Sequence, residues 1–528
     1  MDTDVLVAGA GPTGLMLALE LARRGIRVRI VDKLAAPSPT SRALVVHART
    51  LELFQNLGIE REFLRVGLQT IGLSAYVEGR HITDVEFGDI GASATPFPFV
   101  LFVSQAETER ILEQALRQRG VSVERAVALS AFSHDASGVT ATLESADGRR
   151  ETLRCRYLGG CDGAHSVVRH GLGLNFAGAA YAQDFVLADV RVDWALARDR
   201  LMLFLGRRGL MAVFPMPEGV LRLIVAVPQG FSDVTQPLTL AETQKLARHF
   251  SATDVTLSDP VWLARFHLHH RGVERYGVGR VFVAGDAAHI HSPAGGQGMN
   301  TGIQDAANLA WKLALVINAQ ATSRVLDSYS HERWPIGRVL LKRTDRFFEV
   351  MATGNAFTVS LRNLLVPRLL PLLARYRWLR KRVFRFISQL GIHYRESPVV
   401  RERGRWHGGP HAGERAPDAE CRRGADTKTL FDAMRGPEHH LLVFTGTSTT
   451  ADSWQQLASA MPFPCRAIVI RRDAATRNDL TDSAGAAYKL YGVADAGGVY
   501  LVRPDGYVGV RAPLADAASV LSDYAAAL

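Results

Sequence analysis

Two glycine-rich runs, far apart in a chain of 528 residues, hold the residue types best suited to grip a nucleotide. The first, "GAGPTG", sets Gly9, Gly11 and Gly14 in a G-x-G-x-x-G pattern, behind the apolar run "DVLVA" and ahead of a helix pattern. In that context Gly9 permits a tight turn, Gly11 lets the backbone approach a pyrophosphate and Gly14 lets the helix pack on the strand. The helix starting at Pro12 offers the free N–H groups of Thr13 and the residues after it to phosphate. Asp32 ends the next strand, "IRVRIVD", with Lys33 behind it. Its carboxylate suits a ribose hydroxyl and disfavours an extra 2′-phosphate, which points to FAD or NAD rather than NADP.

The second run, "GDAAHIHSPAGGQGMN", starts at Gly285-Asp286. A simple dehydrogenase needs only the first loop. Asp286 at a strand end can hydrogen-bond a polyol such as the ribityl chain of FAD. Gly295, Gly296 and Gly298 would let the backbone come close to a flat ring. A helix starting near Met299 and Asn300 would aim its N–H groups at the ring edge, where reduced flavin carries negative charge. The second loop therefore selects a flavin.

These loops need elements to hold them. Residues 4–32 read as a β-α-β unit. Helices are predicted over Val46–Leu57 and Gln105–Arg119. The stretch from 180 to 270 is β-rich, with strands in "DFVLADVRVDW", "LMLFLG", "LMAVFPM", "VLRLIVAV" and "ARFHLHHR". The run "RNLLVPRLLPLLARYRWLRKRVFRFISQL" is predicted to be helices packed on the main body or at a dimer contact; Pro367 and Pro371 speak against a membrane-surface helix. Residues 401–420, rich in Gly, Pro and charge, read as a linker or domain boundary. The remainder reads as a small α/β unit with a hairpin turn at "PDG", 504–506.

Composition excludes several classes. The apolar share is 47% and the charged share 22%, as in globular proteins. The net charge of +10 suits an anionic dinucleotide, and no nucleic-acid motif is present. Four cysteines, Cys155, Cys161, Cys421 and Cys465, form no C-x-x-C pair, so no zinc or dithiol site is expected and a reducing cytoplasm is. No signal peptide and no run of about 18 apolar residues is apparent, so stable membrane insertion is not expected.

With "CDGAHSVVR" at 161–169 as a third motif, the chain resembles the class A flavoprotein aromatic hydroxylases, the para-hydroxybenzoate hydroxylase fold. The three motifs occur in the family's order over roughly residues 1–345. The tail after 415 resembles the thioredoxin-like C-terminal domain of the phenol and polyketide hydroxylase branch. The resemblance implies an α/β Rossmann-like FAD-binding domain (1–175, with an excursion near 70–100, and 273–400), an inserted β-sheet substrate domain (176–272) and a thioredoxin-like domain (401–528). It implies bound FAD, transient NADPH or NADH, O₂ and a phenolic or polycyclic aromatic substrate, hydroxylated through a flavin C4a-hydroperoxide. By position, Arg42 would lie near the FAD pyrophosphate and the moving flavin, Gln105 and Asp162 at the FAD, Asp286 at the ribityl chain, and Pro293 beside the ring and the substrate. Met299 and Asn300 would present backbone N–H groups. Arg42 and Pro293 are the catalytic candidates. Met202, Phe204, Met211, Phe214 and Met216 could line an apolar wall against the substrate, although sheet core is the favoured reading for any single one of them. His267, His269 and His270 are read as surface or packing residues rather than a base.

The family also implies a homodimer. Alternatives are Baeyer-Villiger insertion on a related polyketide and a non-catalytic aromatic-binding flavoprotein. A flavin halogenase would carry W-x-W-x-I-P, which is absent.

Overall fold

The structure is a computed structural model. It describes residues 1–38, 43–70, 72–86, 88, 94–207, 209–228, 236–290, 294–352, 355–424, 426–445, 451–472 and 479–528. Arg42 and Pro293 lie outside the described residues. The helices that position the site are α1 (Pro12–Ala22), α2 (Ala48–Leu57), α3 (Gln105–Arg117), α4 (Val167–Gly171), α5 (Leu240–Ser251), α6 (Gln297–Ile317), α7 (Asp327–Ala352), α8 (Ala356–Arg375) and α9 (Arg377–Ile387).

The first sheet aligns five parallel strands in the order Val281–Val283, Arg150–Gly160, Thr3–Ala8, Val28–Asp32, Val123–Arg125. Their residues are almost wholly apolar where both faces are covered, as parallel strands require. Register pairs Ala8 with Gly160 and Gly160 with Val283. Strands from residue 3 and from residue 281 thus flank the same neighbour and end at the same edge.

A second sheet runs His289–Ile290, Thr256–Gly272, Ala177–Asp193, Val220–Pro228, Leu210–Pro215, Leu201–Leu205, Gly72–Val77, Arg80–Glu86. Residues 72–86 enter it by parallel pairing of Gly72–Val77 with Leu201–Leu205. Helix α5 covers one face, where Leu246, Ala247 and Phe250 meet Met202, Phe204, Met211 and Val213.

A third sheet, in the C-terminal part, is built on the parallel pair His439–Phe444 and Cys465–Arg471 and the antiparallel strands Gly498–Val502 and Val508–Ala512. One of its faces (Leu441, Val443, Val499, Leu501, Val510) joins the same buried cluster as the first sheet, and the other (Leu442, Phe444, Tyr500, Val502) has a cluster of its own. The stretch 401–420 is not the linker its composition suggested. Arg401–Glu402 pairs with Val510–Arg511, and Arg415 donates to Glu52 at 3.0 Å. At the predicted turn, Gly506 has φ +78°.

The basic-apolar run forms helices packed by one side on the second sheet, as expected, but the prolines do not interrupt them. Helix α8 continues through Pro367 and Pro371, and Phe357, Leu361, Leu364, Leu365, Leu369 and Leu372 on one side of it are exposed. Phe357–Arg375 is long and apolar enough to cross a bilayer by length and mean hydropathy, although only a small part is buried in the protein.

Candidate active site

Three motif loops leave adjacent strands at one edge of the first sheet: 9–14 after Ala8, 161–163 after Gly160, and 284–287 after Val283. Ligands of open α/β sheets bind outside the carboxyl ends of the strands. The loops touch. A Cβ on Gly9 (φ +97°) would lie 2.9 Å from Asp162 Cα, and one on Gly14 would strike the Gly9 carbonyl. Thr13 fills the space between the third loop and α6: a Cβ on Gly285 would sit 2.5 Å from Thr13 Oγ1, and one on Gly302 would strike the same atom. Buried Arg169 joins the other two loops, donating to Ala287 O at 3.1 Å and Ala164 O at 2.8 Å.

At Gly11 and Gly163, by contrast, a Cβ would meet nothing within 4 Å. The space that glycine keeps clear there is open to a ligand. Asp32 Oδ2 accepts from Ala10 N at 2.7 Å and Oδ1 from Leu34 N at 2.8 Å, which clamps the first loop to the second strand. Pro12 opens α1, and Lys33 is exposed. Gln105, the first residue of α3, donates to Glu109 at 2.8 Å. Burial holds the Glu109 carboxyl above its usual range. The carboxylate of Asp162 accepts from Ser166 Oγ and from the backbone N of Val167 (2.7 Å) and Val168 (3.2 Å). It is therefore engaged at the start of α4.

Gly285 turns with φ +59°, and Asp286 is the one exposed residue between Val281 and His289. Helix α6 begins at Gln297, two residues before the predicted start, so Gly298, Met299 and Asn300 form its first turn. The Asn300 side chain is fully buried. It accepts from His47 N at 2.9 Å and donates to Val45 O (2.8 Å) and Gly296 O (2.9 Å).

Several positioning residues escaped the sequence reading. His47 Nε2 donates to Gly295 O at 2.8 Å, and burial brings its pKa down to about 4, so the ring is neutral. Asp305 on α6 accepts from Gly285 N (3.1 Å), His289 Nε2 (2.7 Å) and Arg333 Nε (2.6 Å), all buried. Burial pushes the Asp305 carboxyl up, but Arg333 and His289 outweigh it and hold the group below its ordinary value. The available signal was weak: Asp305 lies five residues beyond Asn300 on a helix read for its apolar face.

The substrate wall is redrawn. Side chains alternate across a strand. Met202, Phe204 and Met211 point to the α5 side and are sheet core. Phe214 points to the other face and, with Met216, packs on Leu44, Val45 and Phe102 of the first unit. Phe214 and Arg222 are register partners and share that face. Arg222 holds Asp189 through two 2.7 Å bonds and lies over Trp262. Of the histidines, His267 is half-exposed and 3.1 Å from Asp184.

This arrangement fits FAD. Helices α1 and α6 lack a side-chain N-cap and an acidic residue in the first turn, whereas α3, α4 and α5 are capped by Ser104, Ser166 and Thr239. Two helix starts without protein acceptors, at one sheet edge, suit an anionic ligand. Known proteins agree. Residues 2–344 match the family described as FAD binding domain, and 409–528 match the aromatic-ring hydroxylase C-terminal family. The 6-methylpretetramide 4-monooxygenase of Streptomyces rimosus is 36% identical over 96% of this chain and 90% of its own. The pentachlorophenol 4-monooxygenase of Sphingobium chlorophenolicum is 32% identical over 97% and 94%. The solved structure of OxyS anhydrotetracycline hydroxylase from Streptomyces rimosus superposes with TM-score 0.78 at 30% identity, covering 99% of this chain and 98% of that one. The chain belongs to the FAD-dependent aromatic-ring monooxygenases. It is an FAD enzyme that uses NAD(P)H and hydroxylates an aromatic substrate.

Proposed function

We propose that the substrate is a neutral fused aromatic of the polyketide type, hydroxylated with O₂ as co-substrate. The observation that carries this reading is the near full-length likeness to the 6-methylpretetramide monooxygenase. The wall supports it. Phe214 and Met216 are apolar, and Arg222 is neutralised by Asp189, which suits an uncharged ring better than a carboxylate.

Bound FAD supplies reduction by NAD(P)H and activation of O₂. The residues of this chain hold and shield it. The N–H groups of Thr13 and Gly14 and the open flank of Gly11 receive the pyrophosphate. Asp32 binds the adenosine side, Gln105 contributes to holding the FAD, and Asp286 takes the ribityl chain. The N–H groups of Gly298, Met299 and Asn300 face the ring, held there by the Asn300 and His47 bonds. Arg42 and Pro293 act beside the ring. Lys33 and Asp162 complete the FAD-binding set, and Asp162 also serves the passing NAD(P)H. The apolar wall excludes water, which would otherwise divert the oxidant to H₂O₂.

A thioredoxin-like C-terminal domain is part of the same reading. Its parallel pair followed by an antiparallel hairpin supports it, and burial pushes the thiols of Cys421 and Cys465 up to about 12, unsuited to redox exchange. Four free cysteines go with a cytoplasmic setting.

The test is NAD(P)H consumption by the flavin-loaded enzyme against fused polyketide aromatics and simple phenols. Fused rings should stimulate it most, and Phe214→Ala should raise KM about tenfold for them, the loss of one large apolar contact. Faster turnover of simple phenols than of any fused ring would reject the substrate class. A ring-opened or ester product would favour Baeyer-Villiger insertion.

A further inference from the structure

Helix α8 is fixed to the substrate sheet by one side only. Val359 and Arg362 are buried, Arg362 donates to Gly206 O and Met351 O, and Asn363 donates to Glu78 at 2.9 Å. The opposite side is a continuous apolar stripe. Phe357, Leu361, Leu364, Leu365, Leu369 and Leu372 follow helical spacing along one face, and Phe357 is 77% exposed. Helix α9 follows directly at Tyr376 and packs on α8. Its outer positions are Trp378, Lys381, Arg382, Arg385 and Phe386, again at helical spacing, with Trp378 66% exposed.

From Ala356 to Ile387 the chain has eight Arg and Lys residues and no Asp or Glu. That charge decides between occupants. A second copy docked by two-fold symmetry would set this basic segment against itself, with no acid inside it to compensate. A helix crossing the bilayer would need its inner face free, and Arg362 is tied into the protein. Leucines and a tryptophan beside lysines and arginines are the composition of a helix lying in an anionic lipid interface.

We propose that α8 and α9 form a peripheral docking surface for anionic bilayers, the α8 stripe entering the acyl boundary and the α9 basic side chains meeting the headgroup phosphates. The family's expected dimer contact is not made through this face.

The experiment is co-sedimentation of the flavin-loaded enzyme with phosphatidylcholine–phosphatidylglycerol vesicles and with pure phosphatidylcholine vesicles, at low and high salt. Binding is expected to the phosphatidylglycerol vesicles alone, and high salt should release it. The triple variant K381E/R382E/R385E should bind at least about a hundredfold more weakly, from about a fivefold loss for each of the three cations removed. Its circular dichroism and NAD(P)H oxidation should be unchanged. Brominated lipid should quench a fluorescence component that W378F lacks. The proposal fails if neither vesicle binds, if pure phosphatidylcholine binds equally well, or if the triple variant binds as the parent does. It also fails if the enzyme is a dimer that Leu365→Asp splits into monomers.

Discussion

At the residue scale, Thr13 shows how tightly the two nucleotide loops are joined. Its hydroxyl occupies the volume that side chains at Gly285 and Gly302 would take. Gly302→Ala should therefore weaken FAD binding through an overpacking cost of about 1–3 kcal/mol, about 5- to 150-fold in Kd. Thr13→Ala in the same chain should recover most of that loss, read by flavin fluorescence titration. No recovery would mean that Thr13 acts on FAD directly rather than as the spacer between loops. His47 gives a pH signature. Unfolded, it protonates near its ordinary 6.5; folded, burial lowers this to about 4. Between those values the unfolded chain takes up a proton that the folded one refuses. Stability should then fall as pH drops through that window, by up to about 3 kcal/mol from this group, and be fully retained above it. His47→Gln, whose amide can donate the same bond to Gly295, should show a shallower slope in denaturant titrations; identical slopes would remove His47 from the account. The glycines and Asp32 were legible in the sequence because a tight turn or a close approach constrains residue type locally. His47, Asp305 and Arg169 were not, because their partners lie far along the chain: Gly295 is 248 residues from His47.

At the element scale, α6 acts as a beam between the ring-side loop and the C-terminal unit. Its first turn carries Asn300 and its middle carries Asp305. Beyond these, Asn308, Trp311 and Lys312 enter a buried cluster with Glu332 of α7 and with Arg503 and Asp505 of the 503–506 turn. Glu332 receives Arg503 through bonds of 2.7 and 2.9 Å and Lys312 at 2.8 Å. Removing one partner from such a pair leaves buried charge uncompensated, so Glu332→Gln should cost about 3–5 kcal/mol and lower Tm measurably. An unchanged Tm would contradict the role of the cluster as a joint. Burial works against the Glu332 carboxylate, but Arg503 and Lys312 prevail and hold it well below its ordinary 4.5. Its contribution is thus full above that value and lost as pH falls through the folded pKa. Strand and helix periods made most elements of the first and second sheets readable. Helix α8 was misjudged because proline is read as a breaker; here two prolines four residues apart disturb the same edge of the helix, which continues past both. Which of the candidate wall residues are sheet core could not be read for a related reason: a strand's apolar face can be recognised from its pattern, but which of two apolar faces meets the ligand depends on where the covering helix packs.

At the scale of the whole molecule, the C-terminal unit shares a core with the nucleotide-binding sheet and is not a tethered accessory. Deleting 409–528 would uncover the cluster around Leu441, Val443 and Leu501 and strand Lys312 and Glu332 without Arg503. The shortened chain should fail to retain flavin, seen as loss of the visible absorption after gel filtration; a yellow, stable product would show the two units to be independent. Composition suggested a linker at 401–420 because Gly, Pro and charge mark both linkers and irregular segments pinned by ion pairs, and pattern alone does not separate them. The central claim is that three loops at one sheet edge hold FAD beside an apolar wall so that oxygen passes to an aromatic ring. It is tested most directly by supplying the flavin-loaded enzyme with NAD(P)H, a fused aromatic acceptor and isotopically heavy dioxygen, then weighing the product. The account predicts acceptor-stimulated NAD(P)H oxidation and one heavy oxygen atom in each aromatic product. NAD(P)H consumption that no aromatic stimulates, with all the label in hydrogen peroxide and water, would contradict it.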